Sequence, residues 1–309
     1  MDIFLQQILN GLVLGSIYAL IALGYTMVYG IMGLINFAHG EVVMVGAMVT
    51  ITVISTLMGA GIALPGPLLV LIGLMVAIPA CMLLGFTIER VAYRPLRGAP
   101  RLAPLITAIG LSIVLQQLAI LIWGRNYISF PQILSHDTIS IMGASITELQ
   151  LIIVVLCLAI MGGLLLMVEK TKLGRAMRAT SQNPAVAGLM GVNVNTVISA
   201  TFMIGSGLGA IAGVMVATNY DQAHYYMGFL IGLKAFTAAV LGGIGNLAGA
   251  VAGGILLGII ESLGAGYIGG LTGGFLGSHY QDIFAFMVLI LVLIFRPSGL
   301  MGEKVADRA

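Results

Sequence analysis

The residues best placed to do chemistry are charges and polar groups set inside apolar runs. Lys234 and Glu261 are lone charges of opposite sign in neighbouring apolar stretches, each without a compensating charge in its own stretch. A charge in an apolar phase is costly unless paired, so such residues are candidates for a solute path or a helix-to-helix pair. If the two stretches fold back at Gly245-Asn246, a helical rise of about 1.5 Å per residue puts Lys234 roughly 17 Å and Glu261 roughly 23 Å from the turn. A lysine stem spans that offset; the alternative is that each side chain reaches water or a cavity separately. A second polar streak, Tyr25, Tyr29, Asn36, His39 and Glu41, lies in GYTMVYGIMGLINFAHGE. It reads either as part of a path or as local helix chemistry, with Asn36 capping the second helix and Glu41 complementing its first-turn dipole.

A third motif lies in GRAMRATSQNPAVAGLMGVNVN, from Gly174 to Asn195. Asn183 followed by Pro184 reads as an N-cap with proline at the first helical position, and Gly191 suits the stop. The helix between them, Pro184 to Met190, is too short to cross a bilayer and is expected at the surface beside Arg175 and Arg178, as a connector or as a docking element.

Catalytic readings find little support. There is no HExxH zinc pair, no GxSxG elbow and no Cys/His cluster at metal-ligand spacing. His39, His136, His224 and His279 fall in separate segments, and Cys81 and Cys157 sit within apolar runs without a CxxC partner, as packing residues. None of Lys170, Lys172, Lys234 and Lys304 follows a glycine, so the GxxxxGK[ST] phosphate loop is missing. If transport is driven by ATP, the nucleotide sits on another subunit. No metal, no cofactor in this chain and no nucleic-acid partner are expected.

The elements that must position these residues follow from composition. Hydrophobic residues make up 60% of the chain and charged residues 8%, where a soluble domain carries about 25% charged. Apolar runs near 5–32, 40–58, 67–88, 103–123, 149–168, 196–218, 227–243, 247–265 and 282–295 read as membrane-spanning helices. Runs such as LIIVVLCLAIMGGLLLMV lack the alternation of a β-barrel strand. The expectation is an all-α polytopic transmembrane bundle with eight or nine spans, 227–265 forming either two crossings or a re-entrant pair, and residues 1–309 forming one permease domain. Basic residues cluster at Arg90, Arg94, Arg97 and Arg101, at Lys170, Lys172, Arg175 and Arg178, and at Arg296, Lys304 and Arg308. The positive-inside rule makes these cytoplasmic, leaving 124–147 and 221–226 outside. No basic residue precedes Arg90, so the opening segment reads as a first helix and not as a cleaved leader. Glycines at four-residue spacing (Gly205, Gly209 and Gly213; Gly249 and Gly253; Gly254 and Gly258) make smooth ridges that let helices approach closely in lipid.

At these residues the chain resembles the permeases of bacterial branched-chain amino-acid ABC importers, of the LivH type. GYTMVYG with NFAHGE, ERVAYRPLRGAPRLAPLITAIGLS, KAFTAAVLGGIGNLAGAVAGG and the closing FRPSGLMG carry the resemblance almost end to end. It implies a multi-pass subunit of the bacterial inner membrane, surrounded by lipid. Its implied partners are a second permease (LivM type or a second copy), two cytoplasmic ATPases and a periplasmic solute-binding protein. Leucine, isoleucine and valine are the implied solutes; similar permeases serve urea or short amides, and a self-sufficient secondary carrier is the rival from another class. The short helix is similar to the coupling segment of ABC permeases, a Glu-Ala-Ala followed by glycine. Ala187 and Gly191 match its last alanine and its glycine, while Ala185 and Val186 stand in for the glutamate and first alanine.

Overall fold

The computed structural model describes residues 2–100, 102–134, 137–141, 143–273, 280–296 and 298–302. Arg101, His136, His279, Lys304 and Arg308 lie outside the described residues. The elements are α1 (Asp2–Met32), α2 (His39–Gly59), α3 (Gly66–Ile88), α4 (Leu102–Trp123), β1 (Ile128–Ser129), β2 (Thr138–Ile141), β3 (Ala144–Thr147), α5 (Glu148–Lys170), α6 (Lys172–Gln182), α7 (Pro184–Leu189), α8 (Val194–Tyr220), β4 (Gln222–Ala223), α9 (Met227–Gly242), α10 (Leu247–Leu271) and α11 (Gln281–Phe295). Seven of these helices, α1 to α5, α8 and α10, are long and apolar enough to cross a membrane. The chain is a multi-pass helical membrane protein. Among the described residues α9 and α11 are shorter apolar helices of 16 and 15 residues; at 1.5 Å per residue they reach about 23–24 Å, against a hydrocarbon layer of about 30 Å, so length alone establishes seven crossings and not the expected eight or nine. Among the described residues the strands are two to four residues long, far from the roughly 9–11 a spanning strand needs.

The chain forms two compact units, one of residues 27–135 and 163–233, the other of residues 1–26, 136–162 and 234–309. In the first, α3 runs antiparallel to both α2 and α8: Gly73 meets Thr50 and Cys81 meets Val42, while Gly85 meets Ser206 and Glu89 meets Ser199. A Cβ on Gly213 would overlap the Val43 carbonyl and one on Gly46 would meet Ala210, so α2 and α8 touch backbone to backbone, as a glycine ridge permits. Cys81 Sγ lies 3.6 Å from the Val42 carbonyl, which aligns the start of α2 with the middle of α3. At 1.5 Å per residue, α2 therefore begins about 20 Å before the end of the α3 segment that carries Arg90, Arg94 and Arg97. Strands β1 and β4 pair antiparallel, Ile128 opposite Ala223, joining the two segments expected outside. Met44, Met48, Ile51, Ile54, Leu69 and Phe130 form a buried core beneath them.

In the second unit, α10 lies between α1 and α9. Gly254 and Gly258 meet Ala19 and Gly15 of α1, and Gly253 meets Ala238 and Gly242 of α9. The two ridges on α10 thus serve two neighbours. The α9–α10 connection turns at the anticipated Gly245-Asn246, and Asn246 caps α10 by accepting from the Gly249 amide at 2.9 Å. The closing segment docks on this turn: the amides of Leu300 and Met301 donate to the carbonyls of Leu241 and Gly242 at 2.8 and 2.9 Å.

Candidate functional site

Lys234 and Glu261 meet. Lys234 Nζ lies 2.7 Å from Glu261 Oε1, and Glu261 is fully buried. The turn at Asn246 brings α9 back along α10, and the offset between the two positions is taken up by the lysine stem. A third charge, which sequence reading missed, completes the group: Asp282 at the start of α11 sits 2.6 Å from the same ammonium. Tyr18 of α1 donates to Glu261 Oε1 at 3.3 Å and lies 3.4 Å from Lys234 Nζ. Separate snorkelling is thereby replaced by one four-residue cluster from α1, α9, α10 and α11.

The streak from Tyr25 to Glu41 divides. Tyr25 is buried in the second unit, its ring 6.3 Å edge-on from Phe236. Tyr29 is half-buried near the end of α1. Asn36 does not cap α2 through its side chain; the N-cap is Ala38, and Asn36 Oδ1 accepts from the Ala38 amide at 3.1 Å and from Tyr93 Oη at 3.0 Å. His39 is buried against Gly209 of α8. Glu41 does stand in the first turn of α2, and it is fully buried: its Oε1 accepts from Ser112 Oγ and Gln116 Nε2, both at 2.8 Å, near the middle of α4. Neither α4 residue carries charge, so hydropathy gave no reason to pair them with a glutamate.

A third network was also missed. Glu89 is fully buried where α3 loosens into a π turn, Glu89–Tyr93. Its carboxylate takes Arg94 Nε at 3.3 Å, Arg97 Nη2, and Ser199 Oγ of α8 at 2.6 Å, and Arg97 also donates to Asn195 Oδ1 at 2.5 Å. Read as loop charges, these arginines signalled orientation only; the segment ERVAYRPLR brings both back onto Glu89.

The surface helix is present and one residue shorter than anticipated, Pro184–Leu189. Asn183 Oδ1 accepts from the amides of Ala185 and Val186 at 3.0 and 3.1 Å. Gly191 takes φ +86°, and the amides of Val192 and Gly191 return to the carbonyls of Ala187 and Gly188, a Schellman closure. Ala187 faces inward, while Leu189 and Met190 are 87% and 80% exposed. Arg175 is exposed, and Arg178 donates to the Val168 carbonyl at the end of α5. Among the described residues no group of three or more His, Cys, Asp or Glu side chains could hold a metal.

These observations describe polar clusters inside a helical membrane protein and a capped helix at its basic face, and comparison with known proteins gives them a family. The model of the family described as "Branched-chain amino acid transport system / permease component" matches residues 7–293. The chain is 44% identical over 309 residues to the high-affinity branched-chain amino acid transport system permease protein BraD of Pseudomonas aeruginosa, covering 99% of this chain and 98% of that protein. It is also 44% identical to LivH of Escherichia coli K12, over 99% and 97%, and 29% identical to a probable LivH of Methanocaldococcus jannaschii, over 97% and 94%. No solved structure matches the chain. The chain belongs to the branched-chain amino acid transport system permease family.

Proposed function

We propose that this chain is one membrane-spanning subunit of an ATP-driven importer of leucine, isoleucine and valine in a bacterial inner membrane. The observation that carries this is likeness over nearly the whole chain to permeases named for those solutes. The remainder of the machine is a second permease subunit, two ATPases that bind the nucleotide, and a solute-binding protein outside. The whole chain acts as one translocating domain, with the polar groups at Tyr25, Tyr29, Asn36, His39, Glu41, Lys234 and Glu261 beside the path. Arg175, Arg178, Asn183, Pro184, Ala187 and Gly191 build the contact to the ATPase. The α9–α10 hairpin crosses as two helices, its turn on the cytoplasmic side with the docked closing segment.

Reconstitution tests the assignment. Proteoliposomes with the ATPases, the second permease and the binding protein accumulate labelled leucine on ATP addition, and the chain alone neither hydrolyses ATP nor accumulates leucine. Ion-gradient uptake by the chain alone would instead establish a secondary carrier, and competition by urea or acetamide but not leucine would reassign the solute. Orientation has its own test. Cysteines placed at exposed Arg175 and Ser140 label from the cytoplasm and from outside respectively, while native Cys81 and Cys157 are buried and stay unlabelled. Outside labelling at 175 overturns the orientation.

A further inference from the structure

We infer that Glu41 is the carboxylate that receives the ammonium group of the solute, at a position sealed by the backbone of Gly228 at the start of α9. This rests on the reading of the chain as an amino-acid permease and assigns one group of the solute to one residue.

Three buried glutamates lie in the described chain, and two are neutralised. Glu89 meets two guanidinium groups and Glu261 meets Lys234. Glu41 has no basic partner among the described residues. Its Oε1 is taken by two neutral donors, and its Oε2 is buried without a hydrogen bond. A carboxylate buried in this way is expensive, by several kcal/mol unless a positive group compensates it. The helix ends supply part of that compensation, since Glu41 lies in the first turn of α2 and Oε2 faces the first turn of α9, both positive dipole ends. Half-charges of this kind are a stand-in that a full cation displaces.

The donor set selects the cation. A divalent metal needs about six oxygen ligands and finds one carboxylate here. A guanidinium binds best with both carboxylate oxygens, and Oε1 is already occupied. One free oxygen suits a single-point N–H donor, the primary ammonium of an α-amino acid. Access depends on α9. Gly40 and Gly228 touch backbone to backbone; a Cβ on Gly228 would overlap the Gly40 carbonyl and stand 2.8 Å from Glu41 Oε2. Only glycine lets α9 close over the carboxylate, and a slide of its first turn off Gly40 uncovers Oε2.

The test uses the assembled wild-type transporter treated with dicyclohexylcarbodiimide, with modification of Glu41 read by peptide mass spectrometry. Leucine at ten times its half-protecting concentration slows labelling of Glu41 about tenfold; isoamylamine, which keeps the ammonium, also protects, and 4-methylpentanoate, which lacks it, does not. Labelling unchanged by leucine, or protection by 4-methylpentanoate equal to that by leucine, overturns the inference. Leucine uptake by the same vesicles separates the two claims: uptake without protection refutes the Glu41 site alone, and absence of uptake refutes the permease reading. Glu41→Gln supplies a second readout, with uptake lowered about 10- to 100-fold by loss of one charge-assisted bond at unchanged membrane levels; full uptake by that variant overturns the site.

Discussion

Replacing Lys234 with methionine destabilises the protein far more than replacing Glu261 with glutamine, and the double variant recovers most of the loss. The asymmetry follows from Asp282. When Glu261 is neutralised, Lys234 keeps Asp282 at 2.6 Å and Tyr18 nearby, so its charge remains answered. When Lys234 is removed, Glu261 retains only the Tyr18 hydroxyl in a fully buried position, and stranding a buried charge costs about 3–5 kcal/mol. Asp282 contributes less to that cost because its side chain is 38% exposed and can be hydrated. Neutralising Glu261 as well removes the stranded charge, so the two changes are not additive. Thermal unfolding of the detergent-purified variants, with the folded yield in membranes, measures this cycle. Additive losses, or a Glu261 variant worse than the Lys234 variant, would show that the pair does not carry the stability of this unit.

Much of this architecture is legible in the sequence because lipid leaves the backbone few options. Long apolar runs become helices, and all nine expected segments fall on helices; what hydropathy misreads is the setting of the first turn of α2. Hydropathy treats residues 33–38 as a surface connection, whereas packing of Gly46, Gly213 and Cys81 draws the start of α2 deep beside α3 and α8. Local signals with a covalent range of a few residues are also legible: Asn183 with Pro184, Gly191, and the Gly245-Asn246 turn. Opposite charges in adjacent apolar runs pointed to Lys234 and Glu261, since neither has a compensating charge in its own run. Partners that are neutral or distant in sequence stayed hidden. Ser112 and Gln116 meet Glu41 across separations of 71 and 75 residues, and no periodicity marks that pairing. Nothing in the sequence sets Asp282 apart from an ordinary acid at a helix start, and nothing near Glu89 marks its partner Ser199, 110 residues away on α8.

Leu189→Glu and Gly191→Val both leave the chain inserted in the membrane and sharply weaken capture of the ATPase subunit, for different physical reasons. Leu189 and Met190 stand at the tip of α7, exposed on the basic side of the protein. Fully burying a leucine side chain in a partner groove is worth about 1.5–3 kcal/mol, so a charge there lowers affinity by at least about tenfold. Gly191 acts through the backbone. Its φ of +86° costs a β-branched residue about 1–2 kcal/mol or more, and relaxing that strain opens the bonds from Gly191 and Val192 that hold the end of α7. On the proposed coupling role, the first unit continues from α7 to the end of α3: Asn193 caps α8, and Asn195 and Ser199 on that helix grip Arg97 and Glu89. Docking and transmission therefore separate. Glu89→Gln weakens the α3–α8 tie while leaving α7 intact, so it captures the ATPase at wild-type affinity yet imports less leucine for each ATP hydrolysed. Binding of the ATPase to detergent-solubilised variants, beside uptake and hydrolysis in proteoliposomes, reads the two steps apart. Normal ATPase capture by both Leu189→Glu and Gly191→Val would make α7 a connector and leave the coupling contact to another surface.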